Sequence, residues 1–224
     1  MLRRCAIAFM MSACLIPIAR TAEEPVPIEQ EPRHRLKFEN AHVRFFDVQL
    51  EPGYQTLYHW HHNDGVFVNI ASSPTIAQDW GAEPVTRGDR AIGEVYFIGY
   101  GAKPKAHRVT NPGPRIYRVT DAEIMSSCGP MDAAREGPNQ TLVVDNERVF
   151  VTRVILHPGE STELYAPCGM LVSVSGGNVV FDTPDGKEKV VMDRAAFKWR
   201  KLQQTVRLTN VGANVFHGVD IRIK

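Results

Sequence analysis

The sequence predicts an all-β protein that consists of two tandem barrels, and two observations carry this prediction. The first is a series of short segments rich in β-branched and aromatic residues, bounded by Gly, Pro, Asn or Asp, among them HVRFFDVQL, VFVNIA, EVYFIGY, VFVTRVIL and GMLVSVS. Such segments are typical of strands, and their regular spacing is typical of a barrel or a sandwich. The second observation is an internal repeat.

The repeat consists of two matches that occur in the same order in both halves of the chain. Residues 40–53, NAHVRFFDVQLEPG, align without a gap on residues 146–159, NERVFVTRVILHPG, and share six of fourteen positions. Further on, HRVTNPG at residues 107–113 aligns on VRLTNVG at residues 206–212. The offset is 106 in the first match and 99 in the second. The chain therefore contains two copies of one structural unit.

These matches set the expected domain boundaries. We expect one unit over residues 37–122 and a second over residues 142–224, joined by a segment rich in Gly, Pro, Ser and Asp. Residues 23–36 contain three prolines and no periodic pattern, so they are expected to form an extended arm.

Residues 1–22 have the composition of a secretory signal peptide. Two arginines precede an uncharged apolar run from Cys5 to Ala19, which is shorter than the roughly 20 residues of a membrane-spanning helix. We expect cleavage near Ala22 and a periplasmic or secreted location. A lipid anchor at Cys14 is the weaker hypothesis, because the apolar run continues past that residue.

Without those 22 residues the chain is nearly neutral. It loses three arginines and no acid, which leaves 23 basic and 25 acidic side chains and no run of Lys or Arg. Such a charge distribution does not favour nucleic acid or an anionic membrane as a partner. We expect a small-molecule substrate or ligand, no nucleic acid and no membrane after cleavage, and we leave a homodimer open.

Three of the eight histidines lie close together in GYQTLYHWHHNDG, at residues 53–65. Because side chains alternate along a strand, His59 and His61 share one face and His62 points the other way. His107 on a neighbouring strand is the third candidate ligand, and three neutral nitrogens would leave positions on a metal open for water or substrate. The competing interpretation is that these are surface or structural histidines. A surface or structural role is expected for His34, His42, His62, His157 and His217.

The same residues resemble the motifs of the cupin superfamily. Gly53, followed after five residues by His59 and His61 around one intervening residue, matches the opening of its first motif. His107 and Asn111, separated by three residues, match the end of its second. The resemblance covers both halves, so it implies a bicupin of two double-stranded β-helix, or jelly-roll, barrels.

The chain departs from the superfamily where a glutamate ligand is expected. That place falls on Gly65 or Val66, and Asp64 comes one residue too early and on the outward face unless a bulge intervenes. Superfamily members without this glutamate include thiol dioxygenases and a diketone-cleaving dioxygenase, which hold iron with three histidines. The resemblance therefore implies one divalent transition metal, iron first, with zinc, manganese, nickel and copper as alternatives.

The second copy lacks all three candidate ligands. Tyr165, Pro167 and Val206 stand at the repeat positions of the three histidines, so we expect at most one ion per chain. This half is expected to bury the flank of the first barrel. A lid, a dimer surface or a second ligand pocket are the alternatives.

Parity also predicts the lining of the site. It consists of amides and apolar groups without a carboxylate in a general-base position: Gln55, Leu57, Asn63, Phe67, Asn69, Val109 and Asn111. Four tyrosines are candidate proton donors, although barrel packing is the more ordinary role: Tyr54, Tyr58, Tyr96 and Tyr100.

Three functions compete on this evidence. The first is a metal-dependent dioxygenase, an oxidoreductase acting on a small organic molecule. The second is a metal-dependent lyase or isomerase acting on a sugar or sugar acid, and the third is a non-catalytic metal- or ligand-binding module. The sequence favours the first because the superfamily's glutamate is missing.

Two cysteines, Cys128 and Cys168, remain after signal cleavage, and an exported protein folds in an oxidising compartment. We expect them to form a disulfide. The alternative is two buried thiols that never meet, because sequence fixes neither their separation nor their orientation.

Overall fold

The computed structural model of this protein describes residues 23–129, 136–165, 168–200 and 205–224. The expected signal peptide lies outside the described residues. Within the described ranges the chain forms nineteen strands and one turn of 3-10 helix, at Ile28–Gln30. No helix in this part of the chain has the length and apolar character needed to cross a lipid bilayer.

The first barrel contains ten strands. In chain order they are β1 (Val26–Pro27), β2 (His34–Glu39), β3 (Val43–Leu50), β4 (His59–His61), β5 (Asp64–Ala71), β6 (Thr75–Asp79), β7 (Val85–Arg87), β8 (Val95–Ile98), β9 (Lys105–Thr110) and β10 (Tyr117–Ile124). They form two five-stranded sheets, in the orders β1-β4-β9-β6-β7 and β2-β3-β10-β5-β8.

The second barrel contains nine strands. They are β11 (Gln140–Asp145), β12 (Val149–Leu156), β13 (Ser161–Leu164), β14 (Cys168–Ser173), β15 (Gly177–Thr183), β16 (Gly186–Met192), β17 (Phe197–Arg200), β18 (Val206–Asn210) and β19 (Phe216–Ile223). Their sheets have the orders β11-β12-β19-β14-β17 and β13-β18-β15-β16. Two tandem β-barrels, as the sequence predicts, are confirmed.

The residues shared by the repeats shape the backbone. The side-chain oxygens of Asn40 and Asn146 each accept the backbone N–H groups two and three residues later, at 2.8 to 3.0 Å. Gly53 and Gly159 have φ of +81° and +82°, a conformation that other residues rarely adopt. The residues shared in the first repeat match therefore form the same turns in both barrels.

The second repeat match has the same origin. The side-chain amides of Asn111 and Asn210 each donate to two backbone carbonyls at 2.7 to 2.9 Å and accept an N–H from the glycine two residues later. Asn111 is therefore a structural residue of the loop after β9 and does not line the site.

One apolar core joins the two barrels. Outward-facing residues of β3, β5 and β10 pack against those of β12, β14 and β19, among them Phe45, Val68, Ile124, Met170 and Ile221. This shared core agrees with the expectation that the second unit buries the flank of the first.

The segment expected to be an extended arm is part of the first barrel. Val26 pairs with His59 in the parallel ladder of β1 and β4, Ile28 is buried, and β2 pairs with β3. The expectation is wrong because burial of Ile28 and ladder hydrogen bonds hold this proline-rich segment against the sheets.

Cys128 and Cys168 form a disulfide with a Cα–Cα distance of 5.8 Å. Both residues contact the core between the barrels, away from the cluster that fills the second barrel. The predicted pairing is confirmed, as is the placement of Cys168 outside the interior of its own barrel.

Candidate metal centre

The paired histidines of β4 point into the first barrel, as alternation requires. His59 and His61 have exposed fractions of 0% and 1%, whereas His62 lies on the exposed side and stacks on Trp60. The β4–β9 ladder places His107 directly opposite His59. The three ring centroids are 4.9 to 5.1 Å apart. Nitrogen ligands about 2.0–2.1 Å from one ion put ring centroids at roughly this spacing.

Hydrogen bonding prepares His59 as a ligand. Its Nδ1 atom donates to the backbone carbonyl of Leu57 at 2.9 Å, which leaves the lone pair on Nε2. That Nε2 atom is buried and has no hydrogen-bond partner among the described residues, and the same holds for both ring nitrogens of His61. Buried polar atoms without partners require an explanation, and a metal ion bound by these nitrogens would provide one.

A fourth histidine joins the cluster from β2. The ring of His34 lies 4.2 Å from that of His59 and 6.1 Å from that of His61, centroid to centroid. Ring nitrogens of these three residues all lie within 4.8 Å of one another. The sequence predicts a surface or structural role for His34, and no spacing rule indicates a place in the cluster. Only the pairing of β2 with β3 brings it inside.

His34 is held by a buried carboxylate. Its Nδ1 atom lies 2.7 Å from an oxygen of Glu31, which also accepts the backbone N–H groups of Arg33 and His34. The other oxygen of Glu31 accepts the N–H of Leu57, the residue whose carbonyl holds His59. A carboxylate that fixes the ring orientation of a histidine is the usual support of a metal ligand.

Burial keeps the imidazoles of His34, His59 and His107 neutral. Burial lowers the pKa of His34, His59 and His107 well below the usual value, and the neighbouring histidines lower it further. Metal ions bind the neutral imidazole, so no proton has to leave these rings at neutral pH. The donor set therefore suits a divalent transition metal.

Two carboxylates lie beside His61, at a place where the sequence predicts none. Asp121 and Glu123 of β10 are fully buried, and each has an oxygen 3.7 Å from Nδ1 of His61. Burial, followed by the nearby Glu123, raises the pKa of Asp121 well above its usual range. The sequence did contain a signal for this pair. Asp121 and Glu123 are two residues apart, so they share one face of β10, and the other residues on that face are apolar or aromatic.

Asp64 points away from the histidines. It forms an ion pair with Arg148 of the second barrel at 3.0 Å and accepts the N–H of Gly101 at 2.8 Å. It connects the barrels, and the parity argument for its outward orientation is confirmed.

The cavity beside the histidines has a volume of about 290 Å³. Of the predicted lining residues, Phe67 and Val109 contribute to its wall, and so do Tyr96 and Tyr100. The other predicted residues do not contribute to this wall. Gln55, Leu57 and Tyr54 are exposed, and Asn63 is half-buried. The side chains of Asn69 and Asn111 donate to backbone carbonyls, and Tyr58 packs under Arg108. Tyr100 stacks on His61 with centroids 4.6 Å apart.

Four basic side chains complete the wall of the cavity. Lys105 is paired with Asp79 at 2.7 Å, and Arg90 with Glu94. The other two, Arg87 and Lys103, are exposed and form no ion pair with any described residue. The cavity thus combines an apolar and aromatic interior with positive charge.

The second barrel has no equivalent centre among its described residues. Val206 is part of its apolar interior, Tyr165 is half-buried, and Pro167 lies outside the described residues. Apolar side chains fill the space that the cavity occupies in the first barrel, among them Leu164, Leu208 and Phe216.

Solved structures of low sequence identity share this architecture. AerE from Microcystis aeruginosa matches with a TM-score of 0.64 at 12% identity, over 89% of this chain and 98% of that chain. A cupin 2 conserved barrel domain protein from Leptotrichia buccalis matches with a TM-score of 0.52 at 11% identity, over 84% and 87%. Oxalate decarboxylase from Bacillus subtilis, a protein with Mn(II) centres, matches with a TM-score of 0.54 at 11% identity, over 82% and 69%.

No family model matches the sequence, and no curated protein matches it. The fold comparison nevertheless agrees with the resemblance of the histidine motifs, and both halves of the chain take part in it. The chain therefore has the fold of the cupin superfamily, in its two-barrel, bicupin form.

Proposed function

We propose that this protein is an exported, metal-dependent enzyme that oxidises a small organic anion with dioxygen. The observation that carries the proposal is the cluster of imidazoles beside the first barrel's cavity, in which His59 and His61 offer buried nitrogens that have no described hydrogen-bond partner. Iron(II) in this set would supply the activation of dioxygen. The Mn(II) centres of oxalate decarboxylase give general support for a divalent metal in this fold.

Charge in the cavity indicates the class of substrate. Arg87 and Lys103 contribute two positive side chains without a described ion-pair partner, and no acidic side chain lines the cavity wall within the described part of the chain. A carboxylate or another small anion would therefore be attracted to the cavity and oriented by these groups. The volume of about 290 Å³ suits a small organic molecule.

The aromatic wall would exclude water from the reacting part of the substrate. Phe67 and Tyr96 stack on each other with centroids 4.9 Å apart, and Tyr100 covers one face of His61. A dry wall strengthens the attraction between a charged substrate and the basic side chains, because the local dielectric constant falls.

Tyr100 favours a second candidate, a metal-dependent lyase or isomerase. Tyr100 lines the cavity and stacks on His61, and its phenol is protonated at neutral pH, as that of an ordinary tyrosine is. A protonated hydroxyl beside a metal ligand can donate a proton to a carbanion or an enolate, as either reaction requires.

Export is supported by two features of the chain. Residues 1–22 have the charge and apolar pattern of a signal peptide. The Cys128–Cys168 disulfide is of the kind that persists in an oxidising compartment. We place the mature protein in the periplasm or outside the cell.

The test starts from protein purified from the periplasm, with its metal content measured by elemental analysis. Protein loaded anaerobically with Fe²⁺ is then mixed with a panel of small carboxylates and their neutral amide analogues, and oxygen consumption is recorded. We expect oxygen consumption with one or more of the carboxylates and none with their neutral amide analogues. Turnover without oxygen would favour the lyase or isomerase, and metal binding without any turnover would support a non-catalytic module.

A charge variant tests the substrate class. Arg87→Gln should raise KM for the active carboxylate about tenfold and leave the bound metal in place, since Arg87 lines the cavity and an arginine is not one of the proposed ligands. Arg207→Gln, in an exposed position on the second barrel, is the matched control and should have no effect. An unchanged KM in Arg87→Gln would contradict this role.

A further inference from the structure

Asp121 and Glu123 form an unusual pair inside the first barrel. Both lie on the interior face of β10, their exposed fractions are 0%, and neither carboxylate oxygen of Asp121 accepts a hydrogen bond from a described residue. His61, itself buried and without hydrogen-bond partners, faces both carboxylates at 3.7 Å. An ionised carboxylate is not stable in such surroundings unless a positive charge lies beside it.

Glu123 has such a charge, whereas Asp121 has none. The guanidinium of Arg44 lies 2.8 Å from an oxygen of Glu123, and its other contact is with Glu29 at 3.4 Å. Among the described residues, no lysine or arginine lies within ion-pair distance of Asp121. The two carboxylates therefore share one described cation, Arg44, and it lies beside Glu123.

The second barrel shows how the same position is balanced when the histidines are missing. By the offset of 99 residues, Asp220 in β19 corresponds to Asp121 in β10. Asp220 is also fully buried, but it forms ion pairs with two buried arginines, Arg200 and Arg222, the latter at 2.8 Å.

Neither arginine has a counterpart in the first barrel. The strand registers place Glu123 where the second barrel has Arg222, and Ile98 where it has Arg200. Two positive groups of the second barrel are thus replaced by one negative and one apolar group around Asp121. Among the described residues, Asp121 therefore lacks the positive partners that Asp220 has in the second barrel.

Gly65 leaves the space that Asp121 occupies. A Cβ atom at Gly65 would lie 3.1 Å from Oδ1 of Asp121 and 2.7 Å from the ring of Phe67. A side chain at residue 65 would therefore displace the carboxylate or the ring. Glycine at position 65 therefore allows the carboxylate of Asp121 to occupy this space.

We propose that Asp121 supplies an oxygen ligand to the metal ion that His61 binds, so that the ion balances the carboxylate. The inference rests on the metal site of the proposed function and adds a ligand outside the histidine motifs. A mixed set of nitrogen and carboxylate oxygen suits Fe²⁺ or Mn²⁺ better than a soft ion such as Cu⁺. Glu123, already paired with Arg44, stays outside the coordination sphere.

The test measures the dissociation constant of Mn²⁺ for metal-free full-length protein and for Asp121→Asn, by competition with a chelator. Asparagine keeps the shape of the side chain and removes its charge. We expect Asp121→Asn to bind Mn²⁺ at least about tenfold more weakly. Asp220→Asn is the matched control in the second barrel; it should lower thermal stability and leave the Mn²⁺ affinity unchanged.

A second measurement decides the matter if Asp121→Asn does not fold. In crystals of the wild-type protein grown with Mn²⁺, anomalous scattering locates the ion, and we expect an Asp121 oxygen about 2.2 Å from it. An ion bound to the histidines with Asp121 more than about 3 Å away would overturn the inference while leaving the proposed metal site intact. Absence of any bound Mn²⁺, Fe²⁺ or Zn²⁺ in the wild-type protein would overturn both.

Discussion

Glu31 and His34 form a buried contact in which a carboxylate oxygen lies 2.7 Å from Nδ1 of the imidazole. Through its other oxygen Glu31 also binds the N–H of Leu57, whose carbonyl holds His59. One carboxylate therefore orients two imidazoles that come from different strands. Metal ligands supported in this way keep their geometry before the ion arrives.

We predict that Glu31→Gln weakens metal binding because Glu31 orients His34 directly and His59 through Leu57. The amide offers one acceptor instead of two, so His34 and the Leu57 N–H compete for it. We expect a loss of affinity of about tenfold, measured by chelator competition. Glu24→Gln, at an exposed position nearby, is the control. Equal loss in the two variants would contradict the supporting role of Glu31.

Replacement of the histidines should separate the inward from the outward side chains. His59→Ala, His61→Ala and His107→Ala should each remove most of the bound metal, measured by elemental analysis after dialysis. His34→Ala should weaken binding as well, because its ring meets that of His59 at 4.2 Å. His62→Ala should bind metal normally. Full occupancy in His59→Ala or His61→Ala would show that the ion binds elsewhere.

The metal-free protein should lose stability as the pH falls below about 6.5. Burial lowers the pKa of His34, His59 and His107 in the folded state, so below pH 6.5 the unfolded chain binds protons that the folded chain does not. Above this pH these histidines do not reduce the free energy of unfolding. As the pH falls below it, the free energy of unfolding decreases by up to about 1.4 kcal/mol per histidine per pH unit, until the pKa of the folded state is reached.

Urea unfolding of the metal-free protein between pH 7 and pH 5 measures this dependence. The slope should be smaller in His34→Gln, which has one titrating ring fewer. A slope that is the same in the wild type and this variant would show that the buried ring of His34 does not contribute.

The disulfide should account for a large part of the stability of the fold. It closes a loop of 40 residues between Cys128 and Cys168, and the chain-entropy model assigns such a loop about 4 kcal/mol. Cys128→Ala keeps the buried Cys168 side chain and opens the loop, so denaturant unfolding measures the loss. Thiol titration of denatured, non-reduced wild-type protein should find no free thiol, and two free thiols per chain would contradict the pairing.

The whole chain should bind one transition-metal ion tightly. In the described part of the second barrel, apolar side chains and the Asp220 ion pairs fill the corresponding space. His42 does lie near Cys128 and Cys168, but sulfurs joined in a disulfide are not thiolate ligands. Inductively coupled plasma analysis of protein loaded with Zn²⁺ and then dialysed gives the count, and two retained ions would contradict it.

The strands, the two barrels and the face that His59 and His61 share could all be predicted from the amino-acid sequence. These features depend on local alternation, which has a period of two, and on a repeat whose shared residues set turns in both copies. Gly53 and Gly159 illustrate this, because each has a positive φ that its turn requires. The disulfide could be predicted for a different reason, since only two cysteines, Cys128 and Cys168, lie after the signal segment.

The positions of His34, Asp121 and Glu123 beside those histidines depend on long-range strand pairing and could not be predicted from the sequence. Alternation indicates which face of a strand a residue occupies, but the order of strands in a sheet decides what that face meets. The β2–β3 and β5–β10 ladders join segments that are distant in sequence, and the sandwich then brings their interior faces together. The charge on Asp121 was visible in the sequence; its lack of a positive partner became apparent only when Asp220 and its two arginines could be compared in space.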